Sequence, residues 1–251
     1  ALVSPLSSFA QPATKVWRIG FLWELPPALY ADRFVAFTAG MRALGNAEGT
    51  NYVVEQRSAQ SDQTRLPTLA AELIALKVDV IVTQGTPAAL AARNASREIP
   101  IVTTSAGDPV GNGLAASLRR PGGNVTGLTS MTTELYTKRL DLLRQVLPGM
   151  RRAGFLYNPA NPIDALALTQ FETDCGKLGF KSIRAPVGKK EDIAGAFTLL
   201  KRDKAQGLIV SSPSLNQHLR ESIIEHAARD RLPAVYGNTV FAESGGLLSY
   251  A

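Results

Sequence analysis

The sequence predicts an α/β protein of two similar lobes, each a Rossmann-like parallel sheet, joined by a hinge. Three observations predict it. The first half resembles the second: residues 18–23 read RIGFLW and residues 152–157 read RAGFLY, four identities in six at an offset of 134. Leu44-Gly45 then matches Leu178-Gly179, VIVT at 80–83 matches LIVS at 208–211, and IPIV at 99–102 matches LPAV at 232–235. A period this long is no solenoid repeat, which runs about 20–50 residues. Second, strand-sized apolar runs alternate with stretches of helical period, the pattern of right-handed βαβ units in parallel sheets. Third, 251 residues that are 45% hydrophobic and 19% charged are enough for two cores of ordinary domain size.

Each element follows from local pattern. Residues 15–23 read as a strand closed by Leu25-Pro26-Pro27. Residues 32–44 read as a helix, with Phe34, Phe37, Met41 and Leu44 at helical spacing and Gly45 as the stop. Residues 51–56 are a strand and 63–76 a helix. Residues 78–83 are a continuous apolar strand, as in a sheet covered on both faces. An alanine-rich helix at 87–97, a short strand at 100–103 and a strand at 124–129 complete the first lobe. The second lobe repeats the scheme: helix 133–146, strand 152–157, helix 163–177, strand 181–185, helix 192–201, strand 207–210, helix 216–229 and strand 234–236. The breaks are short, so no long linker divides the lobes. The expected division is 15–128 for the N-terminal lobe, 129–245 for the C-terminal lobe, and 246–251 for a strand crossing back at the hinge. Because that strand is apolar and uncapped, the chain is expected to continue past it. Residues 1–14 are uncharged, and Ser8-Phe9-Ala10 fits the small-x-small pattern before a signal-peptidase cut. They read as the remnant of an export signal or as a disordered tail.

Composition excludes several classes. The net charge is +6, but the basic residues are scattered, with Arg119-Arg120, Arg151-Arg152 and Lys189-Lys190 the tightest pairs. No basic run is interleaved with aromatics, so a solvated surface is expected and no nucleic-acid partner. No apolar run is long enough to span a membrane as a helix. The single cysteine, Cys175, reads as a packing residue. His218 and His226 stand eight apart on one expected helix, off the i, i+4 metal spacing, and no GxSxG, HExxH, CxxC or Walker motif occurs. Residues 111–116 (GNGLAA) match GxGxxA in letters but follow Asp108-Pro109 rather than a strand, so no dinucleotide site is expected. No catalytic set converges; no cofactor, metal or enzymatic role is expected.

In open parallel sheets ligands sit beyond the carboxyl ends of the strands. That rule selects Trp23, Glu24 and Leu25 after the first strand, Gly85 and Thr86 after the third, Thr104 and Asp108 after the fourth, and Thr129 and Ser130 after the fifth. The second lobe contributes Tyr157, Asn158 and Asn161, then Ser211 and Ser214, then Tyr236. Gly85-Thr86-Pro87 and Ser212-Pro213-Ser214 open helices whose free N–H groups favour a ligand carboxylate. Glu24 and Asp108 lie where a carboxylate could meet a ligand ammonium; for Asp108 a plain turn role competes.

Several segments carry a family resemblance: GTPAA (85–89), DPVGNGLAASLRRPGGNVTGLT (108–129), KRLDLLRQVLPGM (138–150), YNPANP (157–162), IVSSPS (209–214), LPAVYG (232–237) and GGLLSYA (245–251). The chain resembles the substrate-binding components of ABC transporters related to the tryptophan-binding protein TrpX. The resemblance implies a type I periplasmic-binding fold, an exported protein without catalysis, and delivery of a small ligand to an ABC permease in the inner membrane; because each lobe supplies only half of the polar loops, a monomer that closes on its ligand is expected. An amino acid, aromatic for preference, is the implied ligand. Thr86, Asp108, Thr129, Ser130, Asn158 and Ser211 are the implied polar contacts, and Trp23, Leu25 and Tyr236 the walls. The bulky loop Trp23-Glu24-Leu25-Pro26-Pro27 departs from the family pattern. It leaves open an aromatic carboxylate or another small organic anion, and the shared fold leaves open the sensing domain of a regulator.

Overall fold

The computed structural model describes residues 15–130, 135–211 and 213–250. The first lobe contains β1 (Trp17–Trp23), α1 (Ala31–Ala43), β2 (Tyr52–Ser58), α2 (Leu66–Ala75), β3 (Val80–Thr83), α3 (Thr86–Ala95), β4 (Ile101–Gly107) and β5 (Val125–Ser130). The second contains α4 (Leu135–Val146), β6 (Arg152–Tyr157), α5 (Pro162–Lys177), β7 (Lys181–Pro186), α6 (Asp192–Arg202), β8 (Gly207–Val210), α7 (Ser214–His218), α8 (Arg220–Arg229), β9 (Ala234–Tyr236), α9 (Thr239–Glu243) and β10 (Leu248–Ser249).

The internal repeat is a repeat of topology. The first sheet is ordered β2-β1-β3-β4-β5 and the second β7-β6-β8-β9-β10, with every described pairing parallel. The glycine shared by RIGFLW and RAGFLY has a packing reason. A Cβ on Gly20 would stand 3.2 Å from Leu73 and Val78, and one on Gly154 would strike the Leu200 side chain. A bare strand position there lets a helix or a neighbouring strand end settle close to the sheet. Side chains on either side then alternate. Phe21 joins the core under α1, while Leu22 and Ile81 join the core under α2 and α3. Phe155 packs with Phe171 and Tyr136 under α4 and α5. Each such side chain contributes roughly 1.5–3 kcal/mol by leaving water.

Most expected elements are present, with informative differences. β4 runs on to Gly107, past the expected end at 103, through a register shift between Thr103 and Ala106. β5 stays paired with β4 up to Ser130, so the first sheet extends beyond the expected boundary at 128. The stretch expected as one helix over 216–229 is two, α7 and α8, broken at Leu219. β10 pairs with β9 as the outer strand of the second sheet; the crossing expected of residues 246–251 is not made by the residues that pair. Residues 1–14 and Ala251, and the first two residues of the helix expected from 133, lie outside the described residues. Cys175 is buried, and burial pushes its thiol up to about 12, in keeping with a packing role.

Candidate ligand-binding cleft

Loops at the carboxyl ends of both sheets converge on one cavity of about 500 Å³. Its walls come from the loops after β1, β3 and β4 in one lobe and after β6, β8 and β9 in the other. This is the topological switch point of each sheet, where β1 is flanked by β2 and β3 and β6 by β7 and β8. The lobes touch around it. A Cβ on Gly107 at the end of β4 would lie 3.1 Å from Ile163 at the start of α5. The Tyr30 hydroxyl is buried among Ser214 of α7 and the Leu25 backbone, with full hydrogen-bond geometry to neither, and burial drives its pKa up. A single apolar cluster joins Leu25 and Tyr30 to Leu215 and Leu219 across the divide.

Glu24 reaches the cavity from the end of β1 and is 3% exposed. The Ala88 N–H at the start of α3 lies close enough to favour the charged carboxylate, while Oε1 has no partner. Only a glycine fits beneath it. Gly85 has φ +88°, and a Cβ there would lie 2.7 Å from the Glu24 carboxyl carbon. The α3 N-terminus expected to hold a ligand carboxylate is therefore filled by the protein's own Glu24. Burial raises the Glu24 pKa to about 8; the Ala88 N–H opposes this and the neighbouring Asp164 adds to it.

Asp164 belongs to the first turn of α5 in the other lobe and is fully buried. Its Oδ2 accepts from the Asn158 N–H at 2.6 Å and the Ser211 hydroxyl at 2.8 Å, and Ser211 accepts in turn from Asn216 Nδ2 at 2.8 Å. Oδ1 has no partner. Burial raises the Asp164 pKa to about 7 against these two hydrogen bonds. Replacing Ser211 by alanine is expected to destabilise the fold more at pH 8 than at pH 5. The lost bond is to a charged group at pH 8, worth about 1.5–3 kcal/mol, and to a largely protonated one at pH 5, worth about 0.5–1.5 kcal/mol. Urea unfolding at the two pH values reads this difference; an equal loss at both would remove the charge from the argument.

One wall is aromatic. Trp23 stacks between Phe21 at 4.9 Å and Tyr30 at 4.8 Å, and its Nε1–H donates to Gln56 Oε1 at 3.0 Å. Tyr136 of α4 faces the cavity from the second lobe. Arg33 of α1 lies at the rim, 5.5 Å from the Tyr30 ring centroid.

Among the residues selected from sequence, Trp23, Glu24, Gly85, Thr86, Thr104, Ser130, Asn161 and Ser214 border the cavity. Seven do not. Asp108 takes the turn role, at φ +33° with Oδ1 accepting from the Gly111 N–H. Thr129 donates to the Ala106 carbonyl. Leu25 is buried in the core, and Tyr236 stacks on Phe241 at 4.6 Å under the second sheet, so neither is a wall. Tyr157 stacks on Phe155. Asn158 and Ser211 stand behind Asp164 and hold it. Strand-end reasoning missed Arg33, Tyr136, Asp164 and Gln217, which all sit on helices. The one local signal at Asp164, its place three residues after the Asn161 N-cap whose Oδ1 accepts from Ile163 N–H, marks a helix start and not a place in the cleft.

Two like lobes flanking a polar cavity at their strand ends have the fold of type I periplasmic binding proteins. The profile of the ABC transporter substrate binding protein family matches residues 26–251, and the chain belongs to that family. The family is one of extracytoplasmic solute-binding proteins and not of enzymes. A relative named tyrosine-binding protein, from Clostridioides difficile, is 26% identical over 211 residues, covering 84% of this chain. The chain spans 60% of that relative's length. A conserved domain protein from Vibrio cholerae superposes with TM-score 0.80 at 27% identity, over 94% of this chain and 80% of that one. An ABC domain from Streptococcus pneumonia solved with L-Trp superposes with TM-score 0.77 at 22% identity, over 94% and 78%. Among the described residues no helix is long and apolar enough to cross a membrane, and no group of three or more His, Cys, Asp or Glu could hold a metal.

Proposed function

We propose that this protein is the periplasmic binding component of an ABC importer, acting as a monomer that captures an aromatic amino acid between its lobes and presents it to a membrane permease. The observation that carries this reading is the cleft. It is roomy enough for one such ligand at about 500 Å³ and bordered by Trp23 on one lobe and Tyr136 on the other. An aromatic ring held between such walls gains about 0.5–1.5 kcal/mol beyond area burial. Thr86, Thr104, Ser130, Asn161 and Ser214 supply polar contacts, and Arg33 supplies a guanidinium for the ligand carboxylate. Each lobe carries half of this shell, so capture requires closure. The name of the tyrosine-binding relative supports the ligand class, and the extracytoplasmic character of the family supports the compartment. An aromatic carboxylate lacking an amino group fits less well, because it would meet two carboxylates for one guanidinium.

Calorimetry and thermal denaturation with L-tyrosine, L-tryptophan, L-phenylalanine, L-leucine and 4-hydroxybenzoate test the reading. At 100 times its Kd, a true ligand adds about 2.7 kcal/mol, a rise of roughly 5–11 °C in Tm for a chain of this size. That rise is expected for at least one aromatic amino acid. A response to leucine or 4-hydroxybenzoate alone would replace the proposed ligand class.

A further inference from the structure

Glu24 and Asp164 come from opposite lobes and both line the same cavity, and each has one buried oxygen, Oε1 and Oδ1, without a hydrogen-bond partner. Both side chains are at least nine-tenths buried. A buried anion without a counter-charge is costly, and two of them on approaching lobes repel. Among the described residues no third His, Cys, Asp or Glu joins the two carboxylates, and hydroxyl and amide groups surround them, a setting that suits a compact organic cation with several N–H donors. We propose that Glu24 and Asp164 form an electrostatic latch between the lobes: their repulsion holds the empty cleft open, and a primary ammonium of the ligand, placed between them, lets the cleft close.

The latch rests on the reading of this cleft as a solute site and deepens it in two ways. It makes the ammonium the required group of the ligand. It also gives closure a chemical trigger, since neutralising either carboxylate removes the repulsion. Protons can substitute for the ammonium. With Glu24 raised to about 8 and Asp164 to about 7 by burial in the closed form, the empty cleft closes without ligand on the acid side of that window and opens on the alkaline side. The ligand-bound form needs both carboxylates ionised, so capture releases protons and affinity rises with pH between about 6 and 8. The other charged or titratable groups facing the pair are Arg33 of α1, Tyr30 and Tyr136. Burial moves Tyr30 upward, away from this window. Neither histidine borders the cavity: His226 Nδ1 lies 2.8 Å from the Ser222 carbonyl under Phe197, and His218 is not among the lining residues.

The first test needs no ligand. Small-angle scattering of the unliganded protein at pH 6 and pH 9, at fixed ionic strength, should show a compact particle at pH 6 and a wider one at pH 9. Glu24→Gln and, as a second variant, Asp164→Asn should stay compact at both. An unliganded profile that does not change between the two pH values, or that changes equally in both variants, overturns the latch. The second test is calorimetry with L-tyrosine, tyramine and 3-(4-hydroxyphenyl)propanoate. Tyramine should bind, and the propanoate, which lacks the amine, should bind about 10–100-fold more weakly than tyrosine. The tyrosine Kd should fall from pH 6 to pH 8 in the wild type and hold flatter in Glu24→Gln. A propanoate Kd within about threefold of that of tyrosine overturns the ammonium requirement while the aromatic reading stands. If none of the three binds, the aromatic reading falls and the scattering decides the latch alone.

Discussion

Replacing Gly127 by alanine is expected to cost about 3–5 kcal/mol of stability, a fall of roughly 6–20 °C in Tm. Gly127 sits within β5 at φ +135°, where side chains are rarely tolerated, and pairs with Thr103 of β4. A Cβ there would collide with the Thr103 carbonyl oxygen and lie 2.8 Å from the Thr103 backbone carbon and nitrogen. Backbone cannot swing aside as a side-chain end can, so β5 must leave its pairing. The damage reaches the site, because β5 ends in Ser130 on the cavity wall. Gly123→Ala is the control. A Cβ at Gly123 meets nothing within 4 Å, and its effect should stay within about 0.5 kcal/mol. Equal melting temperatures for the two variants would show that β5 tolerates the side chain after all.

Gly127 also marks where sequence reading reached its limit. The repeat of RIGFLW in RAGFLY was legible because both segments solve one problem, a buried central strand under close-packed helices, and from it two similar parallel-sheet lobes followed. The extension of β4 was not legible. Thr104-Ser105-Ala106-Gly107 has the composition of a turn, and only pairing with β5 around a register shift makes it a strand. The break at Leu219 was hidden for the converse reason, since the apolar spacing continues through it.

The site divided along the same line. Residues that leave a strand and enter a loop, such as Trp23, Glu24 and Thr86, were found by topology. Residues presented by helices depend on how two lobes approach, which no local pattern encodes. Asp164 is the clearest case. An acidic residue in the first turn of a helix ordinarily answers the helix dipole in water, and nothing in ALALTQFET shows that this one is buried against Ser211 and the opposite lobe. Tyr236 failed the other way. It follows the strand-end rule, but Phe241 of α9 draws its ring under the sheet.

Trp23→Ala is expected to weaken L-tyrosine binding by roughly 30–150-fold, the equivalent of about 2–3 kcal/mol, and to cost about 3–5 kcal/mol of stability. The ring serves both ends because it is shared between core and cleft. It is 3% exposed, stacked between Phe21 and Tyr30, and it also lines the cavity. Removing it opens a void in the core, leaves Gln56 Oε1 without its donor, and frees the Tyr30 ring that stands against Ser214 and the second lobe. Trp23→Phe separates the two roles. It keeps an aromatic face but not the indole N–H, so it should restore tyrosine affinity to within about tenfold of wild type while recovering only part of the stability. Emission offers an independent reading. The chain has two tryptophans, of which Trp17 is 52% exposed, so a ligand-dependent change in emission should come from Trp23 and vanish in Trp23→Phe. Calorimetry at 25 °C, where each variant is shown folded by circular dichroism, decides the matter. A tyrosine Kd unchanged in Trp23→Ala would move the aromatic subsite off this wall and onto Tyr136.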